Sequence, residues 1–271
     1  MRVASLQMTS GPDRMQNLRV ASQLLQQAAD QGAELAVLPE NFSLMSVSDQ
    51  EKRALAESEQ HSSVLDFLSQ QASAHQMAII GGSILLRGDQ GLLRNSSPAF
   101  DADGKLLDIY DKIHLFDVEI DGESYHESST IQPGHAPVVV QHGAFRIGLS
   151  ICYDLRFPEL YRHYADAGCH MVSVVAAFTA QTGKAHWQTL LTARAIENQC
   201  YVIASAQAGT HADGRKTWGH AMIIDPWGEV MAMQEAGEGV VMADLSLARL
   251  ESVRRMLPAL QHRRNIPPIL P

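Results

Sequence analysis

Three residues in this sequence have the types and settings that thiol-dependent hydrolysis of an acyl bond requires. The first is Cys152. It ends a short apolar run, Ile147-Gly148-Leu149-Ser150-Ile151, that reads as a buried strand. Residues 153–158 break the pattern, and Leu160, Tyr161, Tyr164 and Ala165 then recur at helix spacing until Gly168. A side chain at such a strand-to-helix corner stands clear of the sheet, and the backbone N–H groups after the corner can face a developing negative charge. Position alone also admits an inert, buried strand-end cysteine.

A reactive thiol needs a base or a cation beside it. The twelve histidines include His114, His126, His186 and His220, and none stands in a thiol-protease signature. The other solution is a carboxylate base with a lysine cation. Glu40 follows the apolar run Leu35-Ala36-Val37-Leu38, and Lys112 follows a strand-like segment at 106–110. The carboxyl ends of strands are where open α/β sheets bind ligands. Cys169 and Cys200 each border another apolar run and read as small core residues.

The hydrophobic pattern supplies the elements that would position these groups. Strand patterns cover residues 3–8, 34–39, 77–86, 95–100, 106–110, 138–140, 145–151, 171–176, 201–206, 218–224, 230–233 and 239–244. Helix patterns cover 17–29, 49–59, 62–75, the segment after Pro158, 185–198 and 247–255. Gly81-Gly82 lies inside the 77–86 strand and marks a close backbone approach. Asp101-Ala102-Asp103-Gly104 and Asp225-Pro226-Trp227-Gly228 are turns between strands. Residues 117–132, rich in Glu, Asp, Ser and Gly, have no clear period and read as a functional loop. Helices alternate with strands, so the chain is expected to be α/β. It should form one domain over residues 1–256, with two mixed sheets faced by helices and an irregular tail at 257–271.

Composition narrows the partners. The net charge of -9 argues against nucleic acid and anionic membrane surfaces, which call for a basic face. The basic pairs Arg254-Arg255 and Arg263-Arg264 read as solvated or salt-bridged. Three cysteines build no disulfide framework and fit a reducing compartment. The first ten residues lack the apolar core of a signal peptide, and no run reaches transmembrane length, so the expected location is cytoplasmic. No HExxH or paired-histidine spacing supports a zinc hydrolase, and neither metal nor cofactor is expected.

With these residues in view, the sequence resembles the nitrilase superfamily of carbon-nitrogen hydrolases. Leu38-Pro39-Glu40 resembles the glutamate motif, 110–115 (YDKIHL) the lysine motif and 148–159 (GLSICYDLRFPE) the cysteine motif, in the family's order. Ala185-His186-Trp187, 193–202 and Asp225-Pro226-Trp227-Gly228 look like the Nit branch of amidases. The tail from Leu257-Pro258 to Arg263-Arg264 is similar to that of the branch's deaminated glutathione amidase members. Glu127 matches the fourth family carboxylate, whereas Thr217-Trp218-Gly219-His220 departs from the branch, which often has tyrosine before this glycine.

The resemblance implies an α-β-β-α sandwich and a homodimer whose tail reaches the partner. It implies a small-molecule amide and water as substrates, with attack by Cys152, Glu40 as base, and Lys112 with the Tyr153 N–H as oxyanion donors. Glu127 would orient Lys112 and the amide, and Phe178, Thr179, His186 and Trp187 are the candidate substrate contacts. Deaminated glutathione is the expected substrate. The alternatives are α-ketoglutaramate, a small nitrile, or a catalytically silent binding protein of the same fold.

Overall fold

The computed structural model describes residues 1–45, 48–120 and 123–264. The chain opens with β1 (Arg2–Met8), α1 (Arg14–Asp30), β2 (Leu35–Val37), α2 (Asp49–Leu55), α3 (Ser63–His75), β3 (Ala78–Ile80) and β4 (Ile84–Arg87). It continues with β5 (Leu93–Phe100), β6 (Leu106–Asp111), β7 (Asp117–Ile120), β8 (Glu123–His126), β9 (Val139–His142) and β10 (Phe145–Ile151). A short 3-10 turn, Cys152–Arg156, leads into α4 (Pro158–Asp166), β11 (Met171–Ala176), α5 (Ala180–Asn198) and β12 (Tyr201–Thr210). The last elements are β13 (Lys216–Trp218), β14 (Ala221–Ile224), β15 (Val230–Gln234), β16 (Gly239–Asp244) and α6 (Leu247–Met256).

Two groups of strands form around β1 and β12. β1 pairs in parallel with β2, which pairs in parallel with β3, while β16 runs antiparallel along the other edge of β1. β5 closes that group, pairing with β3, β4 and β6. In the second group β10, β11 and β12 are parallel, with β9 antiparallel at one side and β14 and β15 at the other. A short ladder, Gln7↔Ala206 and Met8↔Gln207, joins the two groups into one hydrogen-bonded network of 14 strands.

Alternation along the strands decides the layers. Val3, Leu35, Val37 and Ile80 belong to the same core as Leu149, Ile151, Val175 and Ile203 of the other sheet. Direct contact between the sheets is marked by Ser5 Oγ, 2.9 Å from Ser205 Oγ. The neighbouring residues Ala4, Leu6, Ala36 and Ile79 point the other way, into a second core with Leu24 and Leu25 of α1 and Val64 and Leu68 of α3. On the far face of the second sheet, Gly148 lies under the Tyr164 ring of α4, which a Cβ there would meet at 2.5 Å. The architecture is therefore an α-β-β-α sandwich with two mixed sheets faced by helices. Among the described residues no helix is long and apolar enough to cross a membrane.

Local chemistry redraws four of the expected elements. The single strand expected over 77–86 is two, β3 and β4, because Gly82 adopts a φ of 55° against the Pro39 carbonyl. The strand expected over 218–224 breaks likewise at Gly219 and His220, both with positive φ. Residues 117–132 are not an irregular loop: β7 and β8 pair as a hairpin, Asp117↔His126 to Ile120↔Glu123, followed by a 3-10 turn at Glu127–Ser129. This hairpin pairs with neither main sheet, so no continuous apolar face announces it. Helix α5 starts at Ala180, capped by the Thr179 side chain, where the polar Gln181 and the small Thr182 and Gly183 conceal the helical period.

Candidate active site

Four side chains from four different segments meet above the carboxyl ends of the strands. Glu40 lies three residues past β2, Lys112 directly follows β6, Glu127 opens the 3-10 turn after β8, and Cys152 directly follows β10. Cys152 takes a φ of 49°, a left-handed conformation uncommon for a residue with a Cβ.

The corner is held by Asp154, which is wholly buried. Its Oδ2 accepts from the Ile151 N–H at 2.9 Å and the Tyr110 hydroxyl at 2.7 Å. Its Oδ1 accepts from the His114 N–H at 3.0 Å and lies 2.7 Å from His114 Nδ1. The His114 ring stacks on Phe157 with centroids 3.7 Å apart. The residues flanking Lys112 are thus clamped to the turn that carries Cys152.

Lys112 Nζ donates to Glu40 Oε1 at 3.0 Å and to both Glu127 oxygens, at 3.0 and 2.9 Å. Glu40 Oε2 accepts from the Ala177 N–H at 2.7 Å, and Glu127 Oε2 from the Phe116 N–H at 2.7 Å. Asn95 Nδ2 reaches both carboxylates, at 3.0 Å to Glu40 Oε1 and 3.3 Å to Glu127 Oε1. Asn95 carries no sequence motif that marks it; its place on the inward face of β5 is what brings it here.

Burial pushes the Cys152 thiol well above its ordinary range, and the Glu40 carboxylate pushes it further, while the Lys112 ammonium pulls the other way. The thiol therefore holds its proton at rest. Burial alone would lower Lys112, but the Glu127 and Glu40 carboxylates outweigh it and the ammonium is held well above the usual lysine range. A buried permanent cation, a buried carboxylate and a protonated thiol are the parts of a proton-transfer nucleophile.

A cavity of about 540 Å³ opens over this cluster. Glu40, Lys112, Glu127, Cys152 and Tyr153 line it, as do Phe178 and Thr179. His186 and Trp187 do not. Trp187 is fully buried behind Phe178, with ring centroids 5.0 Å apart and its Nε1 donating to the His220 carbonyl. His186 is exposed and meets Arg156 at 3.2 Å. Besides Lys112, three cations line the cavity: Lys52, Arg156 and Arg215. Lys52 pairs with Asp49 and Arg215 with Asp213. Arg156 lies over the Tyr153 and Phe178 rings and, among the described residues, has no carboxylate partner. Of the other basic residues near these motifs, Arg194 is buried on the Leu155 carbonyl and Lys216 is exposed outside the cavity lining. Among the described residues no group of three or more His, Cys, Asp or Glu is placed to hold a metal ion.

The described start of the tail lies on its own chain: the Leu257 carbonyl accepts from Gln199, and Arg263 pairs with Asp166. Residues 265–271, which complete the expected tail, lie outside the described residues.

Comparison with known proteins gives the family. A deaminated glutathione amidase from Synechocystis is 46% identical over 268 residues, covering 96% of this chain and 97% of that protein. The bovine protein named Omega-amidase NIT2 is 35% identical, covering 97% and 95%. The structure of the C. elegans NitFhit protein superposes with a TM-score of 0.91 at 36% identity; it covers 97% of this chain, which spans 65% of the NitFhit chain. An amidase from Nesterenkonia sp. AN1, 26% identical with a TM-score of 0.80, covers 96% of this chain and 99% of its own; it was solved as a glutamate-to-glutamine mutant with acrylamide added to its active-site cysteine. The carbon-nitrogen hydrolase family model matches residues 2–255. The chain belongs to the carbon-nitrogen hydrolase family, and it is a hydrolase of C–N bonds other than peptide bonds.

Proposed function

We propose that the chain is a cysteine amidase acting through a thioester, with deaminated glutathione as its substrate. The observation that carries this reading is the Glu40 carboxylate, tied to the Lys112 ammonium at 3.0 Å and coupled to the Cys152 thiol. Glu40 accepts the Cys152 proton as the sulfur attacks the amide carbonyl. The oxyanion forms against the Lys112 ammonium and the Tyr153 N–H. Glu40 returns the proton to the departing amine as the C–N bond breaks, leaving the acyl thioester. Water then enters, loses a proton to Glu40 and releases the acid, and the thiol is regenerated. Removing one oxyanion donor from such a site costs about 100- to 1,000-fold in rate. The acrylamide adduct on the Nesterenkonia amidase cysteine supports the nucleophile assignment by analogy.

Glu127 accepts from Lys112 and Phe116 and takes the role of orienting the ammonium and the amide. Glu40→Gln should abolish both half-reactions. Glu127→Gln should slow turnover while Cys152 stays open to alkylation, and full activity in that variant would remove Glu127 from the site.

The substrate assignment draws on the names of the similar proteins and on the charges of the cavity. Deaminated glutathione has a 2-oxoglutaryl acyl part and a cysteinylglycine leaving group, each with a carboxylate. Arg156, in the same turn as Cys152, suits the acyl carboxylate; Arg215, contributed to the same cavity by the β12–β13 connection, suits that of the leaving group. Phe178 and Thr179 remain candidate contacts, whereas His186 supports Arg156 and Trp187 backs Phe178. The deciding measurement compares kcat/KM for deaminated glutathione, α-ketoglutaramate and a simple nitrile. Deaminated glutathione should be fastest. A faster α-ketoglutaramate would make the enzyme an ω-amidase, and a faster nitrile would overturn the amidase reading.

The same reading includes a cytoplasmic homodimer, with residues 1–256 as the hydrolase domain and 257–271 as a tail on the partner. Exposed Ile196, Trp227, Met256 and Leu257 offer apolar surface for such an interface. Sedimentation of the full chain and of a variant lacking 257–271 tests it; an active monomer at micromolar concentration would refute it.

A further inference from the structure

Among the described residues, Asn95 is the one uncharged side chain that bridges the two carboxylates of the cluster. It sits on β5, is 2% exposed, and its single Nδ2 donates to Glu40 at 3.0 Å and to Glu127 at 3.3 Å. Its backbone carbonyl also accepts from the Lys112 N–H at 2.9 Å, so the same residue fixes the lysine's main chain. Two carboxylates and one ammonium leave the cluster with a net negative charge beside a thiol that must give up a proton. A further ammonium or guanidinium would cancel that charge and weaken the base. An amide adds a donor and no charge.

The orientation of the amide is fixed by its neighbours, since a flipped carbonyl oxygen would face two carboxylates. That orientation leaves Asn95 Oδ1 buried with no partner. A buried acceptor without a donor costs folding free energy, so Asn95 keeps this geometry against the interest of stability. The charged and titratable groups facing its amide are Glu40 after β2, Lys112 after β6, Glu127 after β8 and Cys152 after β10. On the alternate face, Arg94 pairs with Glu59 and Asp111.

We propose that Asn95 is a positioning residue of the site, holding the Glu40 and Glu127 carboxylates around the one Lys112 ammonium. The proposal rests on reading this cluster as the hydrolytic centre. Losing Asn95 removes the donor that shares the Glu40 and Glu127 negative charge, so the Glu40 charge bears more fully on the thiol, Cys152 holds its proton more tightly and the acid limb of its reactivity moves to higher pH.

The test is the rate of Cys152 alkylation by iodoacetamide against pH, in the full chain and in Asn95→Ala, alongside kcat/KM for the amide substrate. The acid limb of both profiles should rise by about one to two pH units in the variant. If Asn95→Ala does not fold, the isosteric Asn95→Asp serves, because a third carboxylate raises the same limb further. A folded variant whose alkylation limb stays where the unaltered chain has it overturns the proposal, whatever its melting temperature. Alkylation needs no substrate. A chain that shows the shifted limb but turns over no amide would therefore refute the proposed function and leave the role of Asn95 standing.

Discussion

The Tyr110 hydroxyl donates to the buried Asp154 carboxylate over 2.7 Å. This bond joins β6, which delivers Lys112, to the turn that carries Cys152, and with the two His114 contacts it makes Asp154 the anchor of both segments. Burial and the Asp154 charge push the Tyr110 hydroxyl well above its ordinary range, so it remains a donor at any working pH. Tyr110→Phe should cost about 1 kcal/mol of stability, one net hydrogen bond. Asp154→Ala leaves several buried donors unpaired and should cost about 3 kcal/mol or more. Urea unfolding of the two variants checks the ratio. Equal midpoints would mean that Asp154 is not the anchor.

Gly82 makes a parallel prediction for Glu40. A Cβ at Gly82 would stand 2.1 Å from the carbonyl oxygen of Pro39, the residue before Glu40, and its φ of 55° disfavours any side chain. Gly32 has a φ of 78° but open space around it, so it isolates the backbone effect. Gly32→Ala should cost about 1 kcal/mol, and Gly82→Ala about 3 kcal/mol. Only the second should also lower kcat, by displacing Glu40. Thermal melts that rank the two alike would contradict the packing argument.

Much of this arrangement was legible in the sequence, for physical reasons that differ by residue. Cys152, Glu40 and Lys112 each follow an apolar strand, and a strand's end is marked by its own pattern. The inward face of β10 reads directly from Ile147, Leu149 and Ile151. Asn95 and Arg156 were not legible. Asn95 stands in a polar run, Arg94-Asn95-Ser96-Ser97, that does not single it out, and its role exists only through partners 32 and 55 positions away. Arg156 stands inside the cysteine motif, yet nothing local says that it lacks a carboxylate partner. Trp187 was misplaced for the opposite reason: it belongs to a motif, but a large aromatic at helix spacing fills the core more readily than it lines a cavity. The hairpin β7–β8 was missed because it pairs with neither main sheet and its inner face is only half-buried.

Stability should fall on the alkaline side. Burial holds the thiol of Cys152 well above its ordinary value of 9.0, and pushes Cys169 up to about 11 and Cys200 to about 12. Tyr110, Tyr161 and Tyr164 are raised above 10.0 by the same cause, and Lys112 above 10.5 by its two carboxylates, which outweigh burial. In every case the folded chain keeps a proton that the unfolded chain releases. These groups contribute fully below their unfolded values and lose that contribution as pH rises. The melting temperature should therefore be level between about pH 7 and 8 and decline from about pH 9 onward. A melting temperature that climbs between pH 9 and 10.5 would reverse the sign of the linkage and refute the assigned burial.

The two arginines of the cavity should separate the two ends of the substrate. Arg156 lies over the Tyr153 and Phe178 rings, four residues from Cys152, and is therefore the cation assigned to the acyl carboxylate. Arg156→Lys keeps the charge but loses the planar fork and the stacking. It should raise KM for deaminated glutathione and α-ketoglutaramate alike, by about 10-fold or more, with a smaller change in kcat. Arg215 lines the cavity from the β12–β13 hairpin beside Asp213 and is the cation assigned to the longer leaving group. Arg215→Ala should lower kcat/KM for deaminated glutathione by about 10- to 100-fold and leave α-ketoglutaramate nearly unchanged. Equal losses on both substrates would place Arg215 outside leaving-group recognition. A loss confined to deaminated glutathione in Arg156→Lys would exchange the assigned ends.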